Sequence, residues 1–244
     1  MSNGIKNYYE LVQKPWGKMF YDIVFKQLNL DSAPTLKILD FGSGFGITAN
    51  YYAKFHDVVA IEPDVDMIAH RFCENEYTQI TGSSNELERY NGVFDVVICH
   101  NVLEYTPEPR KLLTKLVRTL KPGGIVSVIK HNRNGHIMSS AIFEENPQKA
   151  LFLLGNKDID NATAFGYRFL YTNEDIIDWG KEENLVVEKI LGVRSFFALT
   201  QNNNIKFDED WYRNMLKLEI DVCEIEEFKQ IAFFNHLIFK KERL

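Results

Sequence analysis

Between residues 36 and 130 five strand-like runs alternate with helix-like ones. "LKILDF" is an apolar run ended by glycines, the pattern of a buried strand. "DVVAIE", "YTQITG", "FDVVICH" and "IVSVIK" follow as further strand-like runs. "ITANYYAKF", "DVDMIAHRFCENE" and "PEPRKLLTKLVRTL" lie between them and read as helices. In the last of these, Leu112, Leu113, Leu116, Val117 and Leu120 share one face. Strand–helix alternation of this density means βαβ units, a parallel sheet and right-handed crossovers.

The flanks are helical or mixed. Residues 7–29 show helical spacing, divided at Pro15, and residues 132–171 are irregular. "NEDIIDWGKEEN" is a helix with Asn173 as N-cap, "LVVEKILGVR" a strand, "DEDWYRNMLKLEIDVCEIEEFKQ" one long helix and "IAFFNHLIFKK" a final strand. With 244 residues and 45% hydrophobic content, the chain suits a single domain with a sizeable core. Residues 1–35 form N-terminal helices, 36–130 the core, and 131–172 and 198–230 cover elements over the carboxyl edge of the sheet.

The net charge of -6 gives no general attraction to nucleic acid or anionic membranes. Cys73, Cys99 and Cys223 are far apart and lack metal-ligand spacing, which fits a reduced, cytoplasmic compartment. No apolar run approaches the roughly 20 residues of a membrane helix, and no leader is expected. His131 and His136 have no cysteine nearby, and the His100–Glu104 pair lacks a second histidine, so no metal is expected.

"DFGSGFG" at residues 40–46 closes the first strand. Gly42 and Gly44 permit positive φ and close backbone approach, and the helix that follows turns free N–H groups toward the same place. A dinucleotide would fit that much. However, the spacing is G-x-G-x-G, and Asp40 directly before it would repel a pyrophosphate. Glu62 ends the second strand about 20 residues on, where an acid grips ribose hydroxyls. The set describes a ribose-bearing ligand with a cationic, non-phosphate end: S-adenosylmethionine.

Residues 36–130 resemble the class I S-adenosylmethionine-dependent methyltransferases through "LKILDFGSGFG", "VVAIEPD", "FDVVICHNVLEY" and "LKPGGIVSVI". The resemblance implies a Rossmann-like, doubly wound α/β fold: a mostly parallel seven-stranded sheet whose last strand is antiparallel. It further implies Gly42, Ser43 and Gly44 against the methionine part, Asp40 at its amino group, Glu62 at the ribose, Ser84 and Asn85 at the adenine, and His100 beside the cofactor. The acid common at position 83 or 84 is missing here. "CHNVLEYTPEPRKLL", "NRNGHIM", "GVRSFF" and "LKLEIDVC" resemble, more narrowly, the bacterial tRNA 5-carboxymethoxyuridine methyltransferase group, which methylates the carboxylate of a modified wobble uridine. Where that group has an arginine toward the donor's carboxylate, this chain offers Lys18.

A carboxylate acceptor is already ionised at neutral pH and needs no general base. No catalytic base is therefore assigned, and His100 is read as a locally bonded interior histidine. A carboxylate does need a guanidinium to hold it. Arg133, Arg168 and Arg194 are the candidates, with Arg133 and Arg194 on the active edge. Tyr105, Tyr167 and Tyr171 could stack on a base. The methyl acceptor is either tRNA, drawn by Lys14, Lys18, Lys130, Arg133, Arg168 and Arg194, or a small apolar or phenolic molecule in a Phe-rich pocket. A cofactor-binding module without catalysis is the third reading.

Overall fold

The computed structural model describes residues 2–155, 159–163, 166–169 and 171–243, with the side chains of 159–163 and 166–169 left aside. The chain opens with α1 (Asn3–Val12) and α2 (Pro15–Leu28), then runs β1 (Lys37–Phe41), α3 (Ile47–Tyr52), β2 (Asp57–Glu62), α4 (Val65–Ala69), β3 (Thr78–Thr81) and β4 (Phe94–His100). It continues through α5 (Pro109–Thr119), β5 (Leu120–His131), α6 (Arg133–Ile142), α7 (Pro147–Gly155) and a hairpin of β6 (Ile159–Thr163) and β7 (Gly166–Phe169). The last elements are α8 (Asn173–Glu182), β8 (Leu185–Val193), α9 (Glu209–Val222), α10 (Glu226–Lys229) and β9 (Phe234–Lys241).

Seven strands form one sheet in the order β3-β2-β1-β4-β5-β9-β8. The pairs from β3 to β5 are parallel, while β9 runs antiparallel to both β5 and β8. This is the expected doubly wound sheet, with the last strand reversed. Strand order reverses between β1 and β4, so the crevice that open α/β sheets use for ligands lies at their carboxyl ends.

Both faces are dry. On one, Leu39, Val97, Cys99 and Val128 meet Leu113, Leu116 and Val117 of α5 and Ile176 of α8. On the other, Ile38, Val96 and Ile98 meet Phe25 of α2 and Ala49 and Tyr52 of α3. Period-two alternation therefore puts Asp40 and His100, neighbours in the pattern of Ile38 and Ile98, on the α2 side.

Several boundaries differ from the sequence reading. The helix after β2 stops at Ala69, because Phe72 donates its N–H to the Phe45 carbonyl (2.8 Å) and Asn75 bonds to Asn50. Cross-chain partners there replace the intrahelical ones. The N-cap of α8 is Thr172, in a capping box with Asp175, rather than Asn173. The long C-terminal helix breaks after Val222, where the Cys223 carbonyl accepts the Gly192 N–H at 2.8 Å.

Candidate functional site

The glycine turn is held from below and from the side. Gly42, Gly44 and Gly46 all have positive φ (74°, 54° and 70°). At Gly42 a Cβ would also lie 2.4 Å from Val102 Cγ2, so the position excludes side chains twice over. Glu62 pins the turn: Oε2 accepts the Gly44 N–H at 2.8 Å and Oε1 accepts the Asp64 N–H at 2.9 Å. Each oxygen keeps a second lone pair for another donor. Burial raises the Glu62 pKa, opposed by those two backbone bonds.

Asp40 stands at the base of this turn, 4% exposed. Its Oδ2 is buried and has no hydrogen-bond partner among the described residues. Desolvation pushes its pKa up to about 7; the Ala49 backbone N–H works against the shift and the Glu62 charge adds to it. Two carboxyls share the crevice with no cation within salt-bridge distance among the described residues. The Ser43 hydroxyl is likewise buried and unpartnered. These are the atoms a cationic ligand with hydroxyls would satisfy, so the residues fit S-adenosylmethionine.

An aromatic roof covers the turn. Tyr8 stacks on Phe45 at 5.6 Å, and Tyr9 stacks on Phe72 at 5.9 Å. Tyr8 bonds to Tyr21, and the pKa values of both are raised by burial, with Glu62 adding to the shift at Tyr8 and Asp40 at Tyr21. Helical spacing over residues 7–29 alone does not reveal a role for Tyr8 or Tyr21 at the turn. Their tie to the carboxyls arises only because α1 and α2 fold back over β1. Ser84 and Asn85 follow β3 beside Glu62, where the Gly82 N–H bonds to the Glu62 carbonyl at 3.0 Å.

His100 ends β4 and belongs to a buried chain of hydrogen bonds. Gln27 Nε2 donates to the Gly192 carbonyl at 2.8 Å, so its oxygen faces His236 Nδ1, also at 2.8 Å. An amide oxygen only accepts, which puts the proton on His236 Nδ1. Burial pushes the His236 pKa down to about 3, keeping the ring neutral. Its Nε2 therefore accepts from Ser127 Oγ at 2.8 Å, and that oxygen accepts from His100 Nε2 at 2.7 Å. His100 is left with a bare lone pair on Nδ1, buried and unpartnered. Burial also depresses its pKa well below the usual value, so it is a hydrogen-bond acceptor and a weak base. The expected local bonding of His100 is present and reaches four elements away.

The three arginine candidates separate. Arg133 donates to the carbonyls of Leu153 (2.8 and 3.2 Å) and Leu154 (2.6 Å), closing the end of α7; a substrate role competes with that bonding. Arg168, like Tyr167, has a side chain outside the described residues. Arg194 lies at the end of β8 with φ 64° and a buried, unpartnered Nε. Its guanidinium sits over the rings of Phe233 (5.3 Å), Phe197 (5.5 Å) and Phe234 (6.0 Å). Lys18 is exposed, with its ammonium 5.7 Å over the Tyr212 ring of α9, and among the described residues it makes no hydrogen bond to the turn. Lys130 is 4% exposed and donates to the His131 carbonyl at 3.1 Å. The basic cluster is thus dispersed: of its members, Lys14 and Lys18 are exposed, and the others described are engaged or sunk. Tyr171, whose ring lies 5.5 Å under the Lys130 ammonium, lines a cavity of about 450 Å³ at the carboxyl end of β5.

Residues 39–128 match the family described as Methyltransferase domain. Over those residues the chain is similar to methyltransferase domains. The ubiquinone biosynthesis O-methyltransferase of Pseudomonas aeruginosa is 28% identical over 71% of this chain and 74% of its own. The tRNA 5-carboxymethoxyuridine methyltransferase of Escherichia coli is 23% identical over 84% and 80%. Among solved structures, a SAM-dependent methyltransferase from Thermotoga maritima superposes with a TM-score of 0.63 at 14% identity, over 98% of this chain and 96% of that one. Among the described residues, the chain has no group of three or more His, Cys, Asp or Glu placed to hold a metal, and no helix long and apolar enough to cross a membrane.

Proposed function

We propose that the enzyme transfers the methyl group of S-adenosylmethionine to a carboxylate, of the kind borne by the modified wobble uridine of tRNA. The buried, unpartnered Asp40 Oδ2 carries the donor half. An α-ammonium group is the partner it lacks, and binding would restore its ionised form. Gly42, Ser43 and Gly44 lie against the methionine part, Glu62 takes the ribose hydroxyls on its remaining lone pairs, and Ser84 and Asn85 border the adenine. Lys18 serves the donor's carboxylate only by leaving Tyr212. The bound donor supplies a methyl already activated on sulfur; the chain orients the acceptor and excludes water.

The acceptor half rests on Arg194, whose guanidinium makes no hydrogen bond among the described residues. A carboxylate needs no proton removed, which suits a site whose histidine is a weak base. The tRNA enzyme of Escherichia coli supports this reading. A second reading, a phenolic small molecule, is favoured by the bare His100 Nδ1, which would accept a hydroxyl proton, and by the quinone-pathway relative.

Labelled donor separates the two. The enzyme is incubated with bulk tRNA from a strain lacking the terminal methylation, and separately with phenolic quinone precursors. Label in the wobble nucleoside supports the carboxylate reading. Label in a phenol transfers the assignment to the second. Donor binding without label in either overturns both.

A further inference from the structure

Lys206 is 3% exposed, an unusual place for a lysine. It lies in a short turn after β8, and its ammonium donates to Asn203 Oδ1 at 2.9 Å. No carboxylate lies within ion-pair distance of it among the described residues. Instead the ammonium is 4.8 Å from the ring centre of Phe197 and 5.0 Å from that of Phe143. Phe197 is the same ring that Arg194 covers at 5.5 Å. Two cations therefore share one aromatic wall.

The Glu219 charge favours the Arg194 cation but forms no ion pair with either cation, so it offsets only part of their charge. Glu219 is 1% exposed, and both its oxygens are engaged by backbone N–H groups: Ser195 at 2.7 Å, Phe196 at 2.9 Å and Phe197 at 2.8 Å. That carboxylate fixes the turn that carries Arg194. Burial, and then the Arg194 charge, push the Lys206 pKa down to about 8, and burial pushes that of Arg194 down to about 10. Two partly desolvated cations beside one engaged carboxylate leave a local excess of positive charge in a chain of net charge -6. Burying like charges together costs free energy that a protein-only role does not return. An anion entering between them returns it.

We infer that Arg194 and Lys206 form a two-cation seat for an anionic methyl acceptor, with Arg194 taking the carboxylate on its free N–H groups and Lys206 supplying the second charge. The seat lies where β8 ends, on the same edge of the sheet as the glycine turn. The inference rests on the carboxylate reading above and adds the residue that reading lacked.

The test uses the full chain with S-adenosylhomocysteine present, and phenoxyacetate against phenoxyacetamide as probes, followed by calorimetry. Phenoxyacetate should bind at least about tenfold more tightly than the neutral amide, as expected for a charge-assisted pair. Lys206→Met and Arg194→Gln should each remove most of that preference. Lys206→Met should also raise the thermal midpoint of the ligand-free enzyme, because it replaces a buried charge with an apolar isostere. Equal affinity for acid and amide overturns the seat. So does an unchanged phenoxyacetate affinity in Lys206→Met together with a lowered midpoint, which would mark a purely structural lysine. If Lys206→Met does not fold, Arg194→Gln decides by the same ratio. Selective phenoxyacetate binding without label in tRNA keeps the seat and removes the RNA reading.

Discussion

Gln27 and His236 are 209 positions apart in the chain, and their side chains meet at 2.8 Å beneath α2. That contact decides the protonation of a residue it does not touch. Because Gln27 gives its amide nitrogen to the Gly192 carbonyl, it has only an oxygen for His236. The preference then passes through Ser127 to His100. A helix outside the strand-alternating core thereby sets which nitrogen of His100 carries the proton and which is left bare.

Gln27→Leu removes the head of this chain. His100 should lose its single Nε2–H tautomer, visible as averaged ring ¹⁵N shifts, and the fold should lose about 1–3 kcal/mol from unpaired buried groups. A His100 spectrum that stays unchanged in the variant would refute the relay.

The two histidines also set the acid limb of stability. Both have native pKa values depressed by burial, so the unfolded chain binds protons that the native one refuses. Stability is full above the ordinary histidine value of about 6.5 and falls as pH drops through it toward the His236 value of about 3. Chemical denaturation from pH 8 to pH 4 should show this fall, with a shallower slope in a variant that replaces His236 by Gln.

Asp40 works in the opposite sense. Its native pKa of about 7 exceeds its unfolded value, so the native state holds a proton between the two, and stability declines as pH rises through that window. Asp40→Asn should stabilise the ligand-free enzyme above pH 7, by at most about 4 kcal/mol on the linkage arithmetic. The same variant should bind the donor at least about tenfold more weakly. Calorimetry at pH 6 in buffers of different ionisation enthalpy should show proton release on donor binding to the native enzyme and none to Asp40→Asn.

The sequence carried the glycine turn and its two acids because β1, the turn and β2 are contiguous, and each residue's place follows from its neighbours. Asp40, Gly42 and Glu62 were legible in that way. Strand identity and the reversed last strand were legible too, the latter through resemblance. The surroundings of Arg194 were not, because they are assembled from segments far apart. Lys206 and Glu219 look like ordinary charges on polar stretches until the turn after β8 brings them to Arg194. Arg133 looked free because nothing local shows that α7 ends beside it. The short α4 failed for a related reason: its helical periodicity is real, but Phe45 and Asn50 offer partners the segment could not reveal.

Gly42→Ala should combine two faults. The added methyl meets Val102 at 2.4 Å, and φ of 74° is strained for any side chain. A loss of about 1–3 kcal/mol is expected, with weaker donor binding. Adding Val102→Ala should relieve the contact and recover part of the stability, while the strain in φ remains. Full recovery in the double variant would show that sterics alone exclude side chains from the turn.

Glu219 gives the sharpest separation of positioning from binding. Its carboxylate accepts three consecutive backbone N–H groups, a pattern that needs an acceptor at both oxygens. Glu219→Gln turns one oxygen into a donor, which must then face either the Ser195 N–H or those of Phe196 and Phe197. The fold should lose about 1–3 kcal/mol, and the turn should loosen around Arg194, whose φ of 64° depends on that bracing. Acceptor KM should therefore rise while donor affinity, read by calorimetry, stays at the native value, since the Glu219 carboxylate bonds to the 195–197 turn and not to Asp40 or the glycine turn. A parallel loss of donor affinity would mean that the two ends are coupled and that Glu219 acts on more than the turn it braces.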